Sequence, residues 1–76
     1  MKKEVGYRIR KLRESKDLSQ QNMADELAIS HGAYSKIERG ETDPSVGRLK
    51  QIADILKVTV TDLIQENTVS LRLDDK

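Results

Sequence analysis

His31, Gly32, Ser35, Lys36 and Arg39 follow one another at steps of one, three, one and three residues. On a helix of 3.6 residues per turn such steps gather on one side. The chemistry of that row is hydrogen bonding. An ammonium such as Lys36 and a guanidinium such as Arg39 only donate, to anionic or carbonyl oxygens, and a hydroxyl such as Ser35 both donates and accepts. Bond-breaking chemistry has little to work with here. There is no Cys, the single His31 has no acid partner at helical spacing, and no glycine-rich phosphate loop follows a strand. One His cannot build a metal site, so no enzyme, cofactor, metal or small-molecule ligand is expected. Each residue of the row also has a plainer reading, Lys36 as a surface lysine and His31 as an exposed first-turn residue with no partner.

Side chains used in this way must stand on a rigid body, and the apolar pattern supplies five helices. Val5, Ile9, Leu12 and Lys16 mark the first, over about residues 4–16, with Arg8, Arg10 and Lys11 outside the stripe. Leu18 then turns into the core. Ser19 suits the N-cap of a second helix over about 20–27, with Met23, Ala24 and Leu27 inward. Ser30 repeats that role for a third over about 31–39, in which Ala33, Tyr34 and Ile37 point inward and Gly40 ends the helix. After the loop "ETDP", Ser45 caps a fourth helix to about residue 57, marked by Val46, Leu49, Ile52, Ala53 and Leu56. Thr59 with Asp62 forms a capping box for a short fifth helix through Leu63 and Ile64.

The fold class expected is all-α, with one exception at the end. In "NTVSLRLDDK" the period changes to two, Val69, Leu71 and Leu73 alternating with Ser70, Arg72 and Asp74. The expectation is a domain over residues 1–66 and a tail over 67–76 that holds a short C-terminal β-strand. The plainer reading of these residues is a frayed terminus; if they form a strand, it cannot satisfy its own backbone alone, and its natural partner is the same strand of a second copy, in a homodimer.

A chain of 76 residues buries only about 60% of its unfolded surface, enough for one small core. No apolar run approaches the roughly 18 residues a membrane span needs, and "MKKEVGYRIRKLRES" lacks the apolar segment of a signal peptide. A soluble, cytoplasmic protein is expected. Net charge is +1, unevenly spread: residues 1–40 carry nine Lys and Arg against six Asp and Glu, and residues 41–76 carry five against seven. An anionic partner for the first half is allowed, although charge runs are usually solvated helix faces.

The segment "LSQQNMADELAISHGAYSKIERGE" thus reads as two short helices around a turn of about three residues. Ala24, a small residue, lies where the second helix must approach closely, and the third helix presents an outward polar row. That is the arrangement of a helix-turn-helix. Residues 6–64 as a whole resemble the lambda-repressor-like DNA-binding domain of the Xre family of bacterial and phage regulators. "RIRKLRE", "LSQ" with Ala24 four residues after Gln20, "YSKIERG", "PS" and "LKVTVTDLI" occur in the order and at the distances of that family.

The resemblance implies a role for each matching position. Gln20 matches a glutamine that binds a DNA phosphate and braces the first residue of the recognition helix. Ser19 and Arg39 match backbone-contacting positions; His31, Gly32, Ser35 and Lys36 occupy the base-facing row, with the Ser30 cap just before it. Arg13 and Glu38 match a pair joining the first helix to the end of the third. The function implied is sequence-specific binding of a double-stranded, pseudo-palindromic DNA operator by a homodimeric transcriptional repressor. The near-neutral charge leaves open an alternative, a protein-interaction module of the same fold that does not touch DNA.

The chain departs from the family pattern in three places. Ala28 stands where the turn usually has Gly, at a cost of about 1 kcal/mol if its backbone is left-handed. Gly32 leaves one base-facing position without a side chain. Glu41 and Asp43 stand where basic residues often grip the DNA backbone.

Overall fold

Hydroxyl side chains start four helices of the computed structural model, which describes residues 2–65. Ser19, Ser30, Ser45 and Thr59 each accept, through the side-chain oxygen, the backbone N–H three residues on: Asn22 at 2.9 Å, Ala33 at 3.0 Å, Arg48 at 3.1 Å and Asp62 at 3.1 Å. Such a bond satisfies a donor the helix leaves orphaned, and is worth about 1 kcal/mol. The elements are α1 (Lys2–Ser15), α2 (Gln20–Leu27), α3 (His31–Glu38), α4 (Val46–Leu56) and α5 (Val60–Ile64). All five expected helices are present, and the described residues contain no strand. The strand expected within residues 67–76 lies outside the described residues.

The helices end by a common device. Asp17, Ala28 and Lys57 follow α1, α2 and α4 with φ of 60, 58 and 60°, and Gly40 follows α3 with φ 77°. The three non-glycine residues are strained there by about 1 to 2 kcal/mol. Each is followed by an apolar residue, Leu18, Ile29 or Val58, that packs against the core. The amides of those residues donate back to Arg13, Ala24 and Ala53 carbonyls at 3.2, 3.0 and 3.0 Å. Burying the apolar side chain and filling the carbonyl offsets the strain.

α1 packs on α3, α4 and α5, and α2 on α3 and α4, around a core in which Ile9, Met23, Ala24, Tyr34, Ile52, Leu56 and Leu63 are wholly buried. Four side chains differ from the sequence expectation. Lys16 is exposed, because α1 has ended and the stripe is completed instead by Arg13, buried to 8%. Arg8, expected outside, is half-buried and donates from Nη1 to the Leu63 carbonyl at 3.2 Å, tying α1 to α5. Ala33 is exposed, since the buried face of α3 is Tyr34, Ile37 and Glu38, one turn of i, i+3, i+4. Val46 is 72% exposed: it opens α4 ahead of the buried stripe formed by Ile52, Ala53 and Leu56.

Candidate nucleic-acid interface

Two backbone approaches set the position of α3. Its start is fixed by the turn from α2, where left-handed Ala28 reverses the chain and Ala24, fully buried, lets the helices close. Its end is fixed by Gly6 of α1. A Cβ on Gly6 would lie 2.5 Å from the Ile37 carbonyl oxygen and nearer still to that of Glu38. No side chain fits, so α1 meets the last turn of α3 backbone to backbone.

Held in this way, α3 turns His31, Gly32, Ala33, Lys36 and the following Arg39 to solvent, with Ser35 half-buried among them. A Cβ on Gly32 would meet nothing within 4 Å. The outward row expected from the sequence is therefore present as one surface, widened by Ala33. A shallow groove runs beside it, between Gly32, Ala33 and Lys36 on one side and Thr42, Ser45 and Arg48 on the other.

Beneath the row lies a buried carboxylate. Glu38 Oε2 accepts from Arg13 Nε at 2.6 Å and from the Tyr34 hydroxyl at 2.5 Å; Oε1 accepts from Arg13 Nη2 at 3.2 Å and Gln20 Nε2 at 2.9 Å. Arg13 Nη1 also donates to the Leu18 carbonyl at 2.7 Å. Burial by itself pushes the Glu38 carboxyl up, but the hydrogen bonds from Arg13, Tyr34 and Gln20 outweigh it and hold the carboxyl below its usual range. The bonded carboxylate raises Arg13 in turn. Burial, then the bond to Glu38, pushes the Tyr34 phenol well above its ordinary value.

The network reaches the surface through Gln20, whose Oε1 lies 2.9 Å from His31 Nε2. Half-buried Gln20 thus links the first residue of α3 to its last. Ser19 and Ser30 are exposed caps. Ser19 is half of a second capping box, its amide donating to Asn22 Oδ1 at 2.9 Å. Arg39 is more engaged than the sequence suggested. Its Nη1 donates to Ser35 Oγ at 2.5 Å, and its Nε and Nη2 fork onto Glu41 at 2.7 and 3.3 Å.

A family model described as helix-turn-helix matches residues 9–63 of this architecture. The chain belongs to the helix-turn-helix family. It is 37% identical over 70 residues to the SPbeta prophage-derived uncharacterized HTH-type transcriptional regulator YonR of Bacillus subtilis, covering 92% of this chain and 65% of that protein. It is 38% identical over 59 residues to the cryptic phage CTXphi transcriptional repressor RstR of Vibrio cholerae, covering 78% and 53%. The crystal structure of the clp gene regulator ClgR from Corynebacterium glutamicum superposes with a TM-score of 0.80 at 25% identity, covering 83% of this chain and 67% of that one. The chain thus spans less than two thirds of the length of these two curated relatives.

Among the residues that position the helix-turn-helix unit, sequence reasoning missed Gly6 of α1 and Arg48 of α4. A glycine inside a helix costs up to about 1 kcal/mol relative to Ala and calls for a packing reason, which was the available signal for Gly6. Arg48 carried no such signal. Its Nη1 donates to Gln51 Oε1 at 2.9 Å within α4 and to the Leu27 carbonyl at 3.5 Å, and only the docking of α4 on α2 creates the second contact.

Proposed function

We propose that this chain is the DNA-binding part of a transcriptional repressor that reads a pseudo-palindromic operator in double-stranded DNA, as a cytoplasmic homodimer and without a catalytic step. The observation that carries this is the outward row of α3 standing on the Glu38 network, a hydrogen-bonding surface supported by buried Arg13, Tyr34 and Glu38 through half-buried Gln20. In this reading α3 enters the major groove. His31, Ser35 and Lys36 face base edges, and Gly32 allows close approach. Ser19, Gln20 through its second amide hydrogen, the capped start of α3 at Ser30, and Arg39 meet phosphates. The domain closes at about residue 66, and residues 67–76 join two copies. RstR is named a transcriptional repressor, which supports the sign of regulation.

Selection of DNA from a random pool tests the reading. It should enrich a two-fold motif with half-sites about 34 Å apart, one turn of DNA. Affinity for that motif should fall steeply with salt, as release of counterions from several phosphates requires. No enriched motif would replace this reading with a protein-interaction module. Deleting residues 67–76 and measuring mass by analytical ultracentrifugation tests the dimer: the truncated chain should be a monomer.

A further inference from the structure

The network also decides what His31 offers. An ionised carboxylate only accepts hydrogen bonds. Both oxygens of Glu38 are engaged by donors, and it is the Gln20 amide nitrogen that must face Oε1, at 2.9 Å. The planar amide then has only its carbonyl end to turn toward His31, whose Nε2 lies 2.9 Å from Gln20 Oε1. A carbonyl oxygen accepts, so His31 Nε2 must carry a hydrogen. In the neutral imidazole Nδ1 is then bare, an acceptor, and among the described residues no group donates to it. The direction of the Glu38 shift agrees with its being ionised.

We infer that Glu38, acting through Gln20, holds His31 as the Nε2–H tautomer and so makes this position a reader of exocyclic amino groups. Resting on the reading that α3 enters the major groove, the inference assigns His31 to adenine N6 or cytosine N4 on the strand it faces, against guanine O6 and thymine O4. Gln20 and Glu38 are positioning residues. The opposite tautomer would offer a donor in place of the acceptor and so could not take a hydrogen from an amino group, which leaves the reading at this position set by a carboxylate at the far end of α3.

The sole His of the chain makes the tautomer directly observable. A two-bond ¹H–¹⁵N spectrum at about pH 8.5, where an ordinary imidazole is neutral, should show one tautomer in the wild type, with Nε2 protonated. Gln20→Ala and Glu38→Gln should both move the two nitrogen shifts toward those of an exchanging mixture. Should Glu38→Gln fail to fold, Gln20→Ala still decides, because it removes the carbonyl while leaving the buried ion pair in place. Identical spectra for the wild type and Gln20→Ala would overturn the inference. On the DNA side, wild-type selection should enrich adenine or cytosine at one position per half-site, and Gln20→Ala should lose that preference about 5-fold while preferences elsewhere persist. Enrichment of guanine or thymine at the His31 position overturns the inference but leaves DNA binding intact. No enriched sequence overturns both the proposed function and the base assignment, whereas the spectrum judges the Glu38–Gln20–His31 relay by itself.

Discussion

Arg13 and Glu38 meet as a fork, Nε to Oε2 at 2.6 Å and Nη2 to Oε1 at 3.2 Å, with side chains exposed to only 10% and 2%. They lie on different helices, and nothing but the docking of α1 on the end of α3 brings them together. Their charges are far from solvent, so each depends on the other and on the neutral donors Tyr34 and Gln20.

Arg13→Met should cost about 3 to 5 kcal/mol, because it strands the Glu38 carboxylate in the core. Lys11→Met should change stability by less than about 0.5 kcal/mol, since that side chain is 58% exposed, 4.0 Å from Glu14. Thermal melts of the two variants check the contrast. At roughly 4 to 8 °C per kcal/mol for a domain of this size, the gap should exceed ten degrees; equal melting temperatures would remove the pair from the stabilising contacts.

Stability should fall at both ends of the pH range for opposite reasons. The Glu38 carboxyl is lowered in the fold, so its contribution is complete above the ordinary carboxylate value of about 4.3 and is lost as pH drops through the lower folded value. The Tyr34 phenol is raised, so its contribution is complete below about pH 10 and is lost as pH climbs above that. Melting curves across pH should show Glu38→Gln flattening the acid limb and Tyr34→Phe the alkaline one. An acid limb unchanged in Glu38→Gln would assign it to other carboxylates.

Gly6→Ala and Gly32→Ala should act in opposite directions. The first drives a methyl into the Ile37 and Glu38 carbonyls, which are backbone and cannot swing aside, at about 1 to 3 kcal/mol. The second adds a methyl to open space on a helix and should stabilise by up to about 1 kcal/mol. Chemical denaturation with unchanged m-values measures both.

Ala28→Gly should raise stability by about 1 kcal/mol, because φ 58° strains an alanine and not a glycine. The strain belongs to the turn alone. DNA affinity should therefore stay unchanged while the melting temperature rises, and a variant no more stable than the wild type would mean that the αL turn stores no strain.

Lys36→Ala and Glu41→Gln should separate reading from anchoring. Loss of Lys36 should relax preference at one base pair per half-site by about 1 to 3 kcal/mol against the right base only. Glu41→Gln releases the Arg39 guanidinium from its fork. It should tighten binding to every sequence and steepen the salt dependence by up to about 0.9 per monomer. Binding titrations against matched and mismatched operators at several salt concentrations distinguish the two patterns.

What the sequence determined by itself is what depends on near neighbours. The caps Ser19, Ser30, Ser45 and Thr59 need only a backbone amide three residues away, and the stripes of α2 and α4 repeat with the helix period, so helix positions and the α2–turn–α3 unit were legible before any packing was known. The outward face of His31, Lys36 and Arg39 followed from the same periodicity. Periodicity places a residue on a side of a helix, however, and cannot say where the neighbouring helix begins and ends. That is why Ala33 and Val46, apolar and in phase, turned out exposed, while Arg8 was drawn partly inward by the Leu63 carbonyl. The family resemblance named the Arg13–Glu38 pair and the brace from Gln20 to His31, but only tertiary structure joined them into one relay through the Gln20–Glu38 bond. The relay's members come from α1, α2 and α3, and the direction of the Gln20 amide, hence the face His31 presents, exists only once a buried carboxylate that can only accept stands against that amide.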